Sequence, residues 1–166
     1  MTKQKDFVER AHKEVLNNSL YLWGGQGEAV LKVPPEVILN METNNTNAAR
    51  VLAALSGKVG KGCDMSNAKY FDCSGLVVAL LNNMGLIQGD FTANEIYNKF
   101  CFAIPREKLK GGDLVFKSQN GRMVHVGIYS KNYGVIEAAG RDLGVVERPI
   151  SSNSWNVYAR LRCLQE

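Results

Sequence analysis

The sequence has no long apolar run, no paired-cysteine motif and only two histidines, and each shortage excludes a class of protein. No stretch approaches the roughly 20 consecutive apolar residues of a membrane-spanning helix, so a soluble chain with no membrane span is expected. Met1–Arg10 is charged and has no apolar centre, unlike a secretion signal, which implies a chain that is cytoplasmic as synthesised. The four cysteines, at 63, 73, 101 and 163, form no Cys-x-x-Cys pair and no Cys/His zinc spacing. Neither metal nor cofactor is therefore expected, and free thiols are. Lys and Arg are scattered among acids and the net charge is a modest +4, which argues against a nucleic-acid partner. Gly57-Lys58-Val59-Gly60-Lys61-Gly62 lacks the spacing and preceding strand of a phosphate loop and reads as a mobile loop.

Against these shortages stands one stretch rich in chemistry, Tyr70-Phe71-Asp72-Cys73-Ser74-Gly75-Leu76-Val77-Val78-Ala79-Leu80-Leu81. It reads as a cysteine at the start of an apolar helix. A helix N-terminus carries unpaired amides and partial positive charge, which favour a thiolate and leave N–H groups free for an oxyanion. A thiolate nucleophile works with an imidazole. Gly112–Phe116 and Met123–Tyr129 read as strands joined by a turn at Asn120-Gly121, and His125 sits within the second of them. A third strand, Gly134–Ala139, carries one ionisable residue, Glu137, suited to orient the ring. Cysteine, then histidine, then a polar orienter on three successive elements is the papain order.

The rest of the chain reads as scaffold. Residues 3–18 place Phe7, Val8, Ala11, Val15 and Leu16 on one helical face, with His12 at its edge as a structural residue. Tyr21-Leu22-Trp23 then runs extended into Gly24-Gly25. Val33-Pro34-Pro35 forms an elbow, followed by a turn or two of helix over 36–41. A second helix is expected over Ala48–Ser56, with caps among Thr43–Asn47 and a stop at Gly57. Thr92-Ala93-Asn94-Glu95 matches a capping box for a short helix ending at Phe100. Asp113 reads as a cap of backbone amides at a strand entry. Strands are expected at 113–117, 123–129, 134–138, 144–148 and 156–162. Helices first and an antiparallel sheet of about five strands after make an α+β domain spanning 1–166, with a helical insertion at 27–69.

Five blocks, in order, carry a family resemblance: Tyr21-Leu22-Trp23-Gly24-Gly25, Asp72-Cys73-Ser74-Gly75-Leu76, Gly112-Asp113-Leu114-Val115-Phe116, His125-Val126-Gly127-Ile128-Tyr129 and Ile136-Glu137-Ala138. The chain resembles the NlpC/P60 cysteine peptidases of bacterial cell walls. The resemblance implies a papain-like fold and hydrolysis of peptidoglycan stem peptides, between γ-D-glutamate and a diamino acid. It implies Cys73, His125 and Glu137 as catalytic residues, and Tyr21, Asp72 and Ser74 as substrate-binding residues. Two departures stand out: the family's third position is usually His, Asn or Gln rather than Glu137, and residues 26–69 separate two blocks that are nearly adjacent in the family. That insertion is expected to cap the cleft. Alternatives are an N-acetylmuramoyl-L-alanine amidase with the same triad, or a catalytically weak wall-binding or phage structural module. Without a leader, such a chain is expected to reach the wall after release or by non-classical export. Any inhibitor, phage or secretion partner is left unspecified.

Overall fold

Local capping sets most element boundaries in the computed structural model, which describes residues 1–166. The Thr2 hydroxyl accepts from Lys5 N at 3.1 Å and starts α1 (Lys3–Leu16), which buries Phe7, Ala11 and Glu14. Two short strands follow, β1 (Leu20–Tyr21) and β2 (Gln26–Ala29). Helix α2 (Pro35–Met41) begins with proline at its first position, where the missing N–H has no intrahelical role. The Asn44 side chain caps α3 (Asn45–Gly60), and β3 (Lys69–Phe71) leads into α4 (Cys73–Asn83). The Thr92–Glu95 capping box opens α5 (Ala93–Phe100), and β4 (Cys101–Ala103) follows directly. The remaining strands are β5 (Leu114–Gln119), β6 (Arg122–Tyr129), β7 (Gly134–Ala138), β8 (Val145–Pro149) and β9 (Val157–Leu161).

The large sheet is antiparallel with order β4-β9-β5-β6-β7-β8, and a small sheet has order β1-β3-β2. Helix α4 is apolar on nearly every side. It therefore becomes the central helix of the core, with Leu76, Val77, Val78 and Leu81 packed among Phe7, Ile96 and the sheet residues Phe116, Val126, Ile128 and Ile136. No helix is long and apolar enough to cross a membrane.

Three details add to or differ from the expected α+β fold. The sheet has six strands instead of about five, because β4 gains its identity only by pairing with β9, from Cys101 opposite Leu161 to Ala103 opposite Ala159. A second, three-stranded sheet also forms, in which β3 pairs parallel to β1 and antiparallel to β2. Finally, α3 does not stop at Gly57. It runs to Gly60, absorbing much of the expected mobile loop, and stops where Gly62 takes φ +77°. There Cys63 N donates to Lys58 O and Gly62 N to Val59 O, the paired bonds of a Schellman motif, so the left-handed glycine ends the helix.

Residues of the 27–69 segment have a core of their own. Ile38, Ala48, Val51, Met65 and Ala68 pack against Leu20, Leu22, Val30 and Tyr70. This places α2 and α3 against the strands that lead into Cys73.

The close approach of Gly25 to α4 holds the two leading blocks together. Asp72 N donates to Gly25 O at 2.9 Å, and a Cβ on Gly75 would lie 2.0 Å from that same oxygen. Backbone cannot yield that far cheaply. Gly75→Ala is therefore expected to cost about 3 kcal/mol or more, lowering the thermal midpoint by roughly 6–12 °C in a calorimetric comparison with the parent. An unchanged midpoint would show that the contact is dispensable.

Candidate active site

Asp72 builds the turn that presents the thiol. Its Oδ1 accepts from Gly75 N at 2.6 Å and from the Ser74 hydroxyl at 3.2 Å, while Oδ2 accepts from Gly24 N at 3.1 Å. Burial pushes the Asp72 carboxyl up, against the opposing pull of these donors. One carboxylate thus caps α4 and ties it to the glycine block. Cys73 becomes the first residue of the helix, half-buried. Leu76 N makes the first intrahelical bond, to Asp72 O, and Gly75 N is taken by the cap. The amides of Cys73 and Ser74 are left as donors for an oxyanion.

His125 arrives from β6, beside a register shift that leaves Val124 unmatched between the pairs Lys117–His125 and Ser118–Met123. Its Nε2 lies 3.0 Å from Glu137 Oε1, so Nδ1 is the nitrogen left for the sulfur. Burial works against charge on the ring, yet hydrogen bonding and charge from Cys73 and Glu137 outweigh it and raise the imidazole to about 9. Burial likewise works against the Glu137 carboxylate, but His125, Arg148 and Asn153 hold it below its ordinary value. The arrangement favours a charged imidazole, held between the Cys73 side chain and the Glu137 carboxylate.

The structure thus brings Cys73, His125 and Glu137 together. Tyr21 stands beside them: burial first, then the nearby Cys73 and Asp72, push its phenol up to about 12, so it remains a neutral hydrogen-bond donor. Ser74 donates its hydroxyl into the Asp72 cap. Asp113 and His12 lie elsewhere. Asp113 accepts from Lys110 N at 2.7 Å and pairs with Arg160, and His12 meets Glu147 at 3.1 Å.

Several site residues escaped sequence reading. Trp155 stacks on the His125 ring, with centroids 5.2 Å apart and planes 11° from parallel. Gly127 makes room, since a Cβ there would meet Trp155 at 3.0 Å and Val135 at 2.6 Å. Asn153 Nδ2 donates to Glu137 Oε1 at 3.2 Å, and Arg148 approaches the same oxygen at 3.5 Å. Asn153 and Trp155 sit in an irregular stretch with no periodicity to flag them. Arg148 required the pairing of β7 with β8, which puts it opposite Val135. Glu42 and Arg141 were also missed. They form a buried ion pair at 2.7 Å, and the Arg141 guanidinium lies over the Tyr21 ring.

This geometry can be set beside known proteins. The model of the NlpC/P60 family matches residues 55–162, well over half of the chain and inclusive of Cys73, His125 and Glu137. The chain belongs to the NlpC/P60 family. Murein DD-endopeptidase MepH of Escherichia coli (strain K12) is 36% identical over 88 residues, covering 51% of this chain and 32% of that protein. The matched stretch therefore spans about a third of that relative's length. The family fold extends beyond this stretch. The P60 domain of antigen MAP1204 from M. avium subspecies paratuberculosis superposes with a TM-score of 0.63 at 22% identity, covering 99% of this chain and 96% of that one. RipD from Mycobacterium tuberculosis, described as a non-catalytic NlpC/p60 domain protein adapted to peptidoglycan binding, superposes with a TM-score of 0.62 at 15% identity, covering 98% of each chain.

Proposed function

We propose that the chain is a cysteine endopeptidase that cuts peptidoglycan stem peptides between γ-D-glutamate and a diamino acid. The observation that carries the reading is the linkage from Glu137 through His125 to Cys73 at the head of a buried helix. Cys73 Sγ attacks the scissile carbonyl, and the Cys73 and Ser74 amides receive the developing oxyanion. The imidazolium gives its proton to the departing amine, leaving a thioester. The neutral ring then takes a proton from water, which hydrolyses that thioester. Glu137 holds the ring in register throughout, and Trp155 supports its face. Tyr21 borders the nucleophile as a substrate contact, and Asp72 with Ser74 shapes the turn beneath it.

Family membership supports the substrate class, and the likeness to RipD makes a binding-only role the alternative to test. Purified sacculi digested with the parent chain are expected to release fragments whose new amino terminus, identified by mass, belongs to the diamino acid. A new terminus on L-alanine would assign an amidase. Binding to sacculi without any release would assign a binding module.

A further inference from the structure

The loop joining β7 to β8 is pinned to residues of the 27–69 segment by two adjacent ion pairs. Asp142 is held bidentately by Arg50 of α3, at 2.7 and 3.0 Å. Arg141 donates from both Nε and Nη2 to Glu42 Oε1, at 3.0 and 2.7 Å, just past the end of α2. The Glu42 side chain is fully buried, and its Oε2 also accepts from Trp23 N at 3.0 Å, inside the block that carries Tyr21. The Arg141 guanidinium carbon lies over the Tyr21 ring, 5.3 Å from its centroid. Its remaining nitrogen, Nη1, makes no hydrogen bond within the chain and reaches solvent.

Stability alone does not call for this arrangement, because a buried ion pair roughly breaks even against apolar residues of similar volume. What the pair does achieve is orientation. Two of the three guanidinium nitrogens are held by Glu42, the group sits over Tyr21, and the third nitrogen is left as a preset donor. Tyr21 stands opposite Phe71, two residues before Cys73, and its phenol is within electrostatic reach of both Cys73 and Arg141, so this donor lies on the side of the fold that carries the nucleophile.

We propose that Arg141 is a substrate-binding residue that takes a free carboxylate flanking the scissile amide, and that Glu42 is its positioning residue. The inference rests on the endopeptidase reading, and it gives the helical insertion a part in selecting substrate. In a γ-linked stem peptide two groups offer this chemistry: the α-carboxylate of D-glutamate and the extra carboxylate of a diaminopimelate residue. A charge-assisted bond from a preoriented guanidinium suits either, whereas a carboxamide offers no charge.

The test is binding to the Cys73→Ala chain, which needs no turnover and so stands or falls separately from hydrolysis of sacculi. Soluble stem peptides are compared by calorimetry in two arms, D-glutamate against D-isoglutamine and diaminopimelate against lysine. In one arm the carboxylate form is expected to bind at least about tenfold more tightly. Adding Arg141→Lys, or the pair Glu42→Gln with Arg141→Gln, is expected to bring that ratio close to one. The pair avoids leaving Glu42 buried without a partner, and melting curves confirm folding. Glu42→Gln alone is expected to reduce the ratio, an effect that a merely structural role would not produce. A ratio near one in both arms of the Cys73→Ala chain, or a ratio that survives loss of the Arg141 guanidinium in both variants, would overturn the proposal.

Discussion

Replacing Cys73 by alanine is expected to reduce peptide release from sacculi on the order of 10⁴-fold or more while leaving the fold and wall binding intact. The magnitude follows from removal of the covalent nucleophile, after which the oxyanion donors and the binding site contribute only residual catalysis. The fold should tolerate the change because Cys73 is half-buried at the first turn of α4, where alanine removes only a partner of the partly exposed His125 ring and leaves the Asp72 cap untouched. Release is read by chromatography of soluble fragments, and folding by circular dichroism. Undiminished release from a folded Cys73→Ala chain would move the chemistry to another group. None of the other three thiols has the same setting: burial pushes Cys101 up to about 12 and raises Cys163, and Cys63 lies among the residues that pack on the insertion core.

Glu137→Gln is expected to have the next largest effect, and its signature is a displaced pH profile. Glutamine preserves the size and the acceptor oxygen facing His125 but removes the charge that helps hold the ring cationic. The imidazole then loses its proton at lower pH. The alkaline limb of kcat/KM, expected near pH 9 in the parent, should move towards neutrality, with a loss at pH 9 of about fivefold for the first unit displaced and about tenfold for each further unit. An unmoved limb would remove Glu137 from the site. Folding stability should show the same pair from both sides. His125, raised above its unfolded value, stabilises fully below about 6.5, and this contribution is lost as pH rises through about 9. Glu137, lowered, stabilises fully above about 4.5 and fades as pH falls through its lower folded value. The two contributions coexist in full between those limits.

The three side chains that meet at the candidate site were legible in the sequence because each sits in a locally recognisable setting: a capped helix start, a hairpin strand with an Asn-Gly turn, and a strand carrying one ionisable residue. The structure closes those settings onto one another by pairing β6 with β7 and packing α4 against the sheet. The supporting shell was not legible, for reasons that differ by residue. Trp155 and Asn153 lie outside any regular element, so only tertiary packing places them on His125 and Glu137. Strand β4 is three residues long and acquires its pairing from the far end of the chain. Helix α3 outran Gly57 because a glycine interrupts a helix by about 1 kcal/mol, a cost that propagation into the Schellman turn at Gly62 can offset. Glu42 and Arg141 are 99 residues apart, and no local pattern announces an ion pair across that distance.

These site groups act together only if the ring at 125 is held as a cation by the sulfur and carboxylate on either side of it. The chain has two histidines, so a His12→Gln protein leaves a single imidazole to follow by nuclear magnetic resonance as pH is varied. That resonance should titrate at about 9, and at lower pH once Cys73→Ala is added. Titration at 6.5 or below, unchanged by the loss of the thiol, would contradict the account.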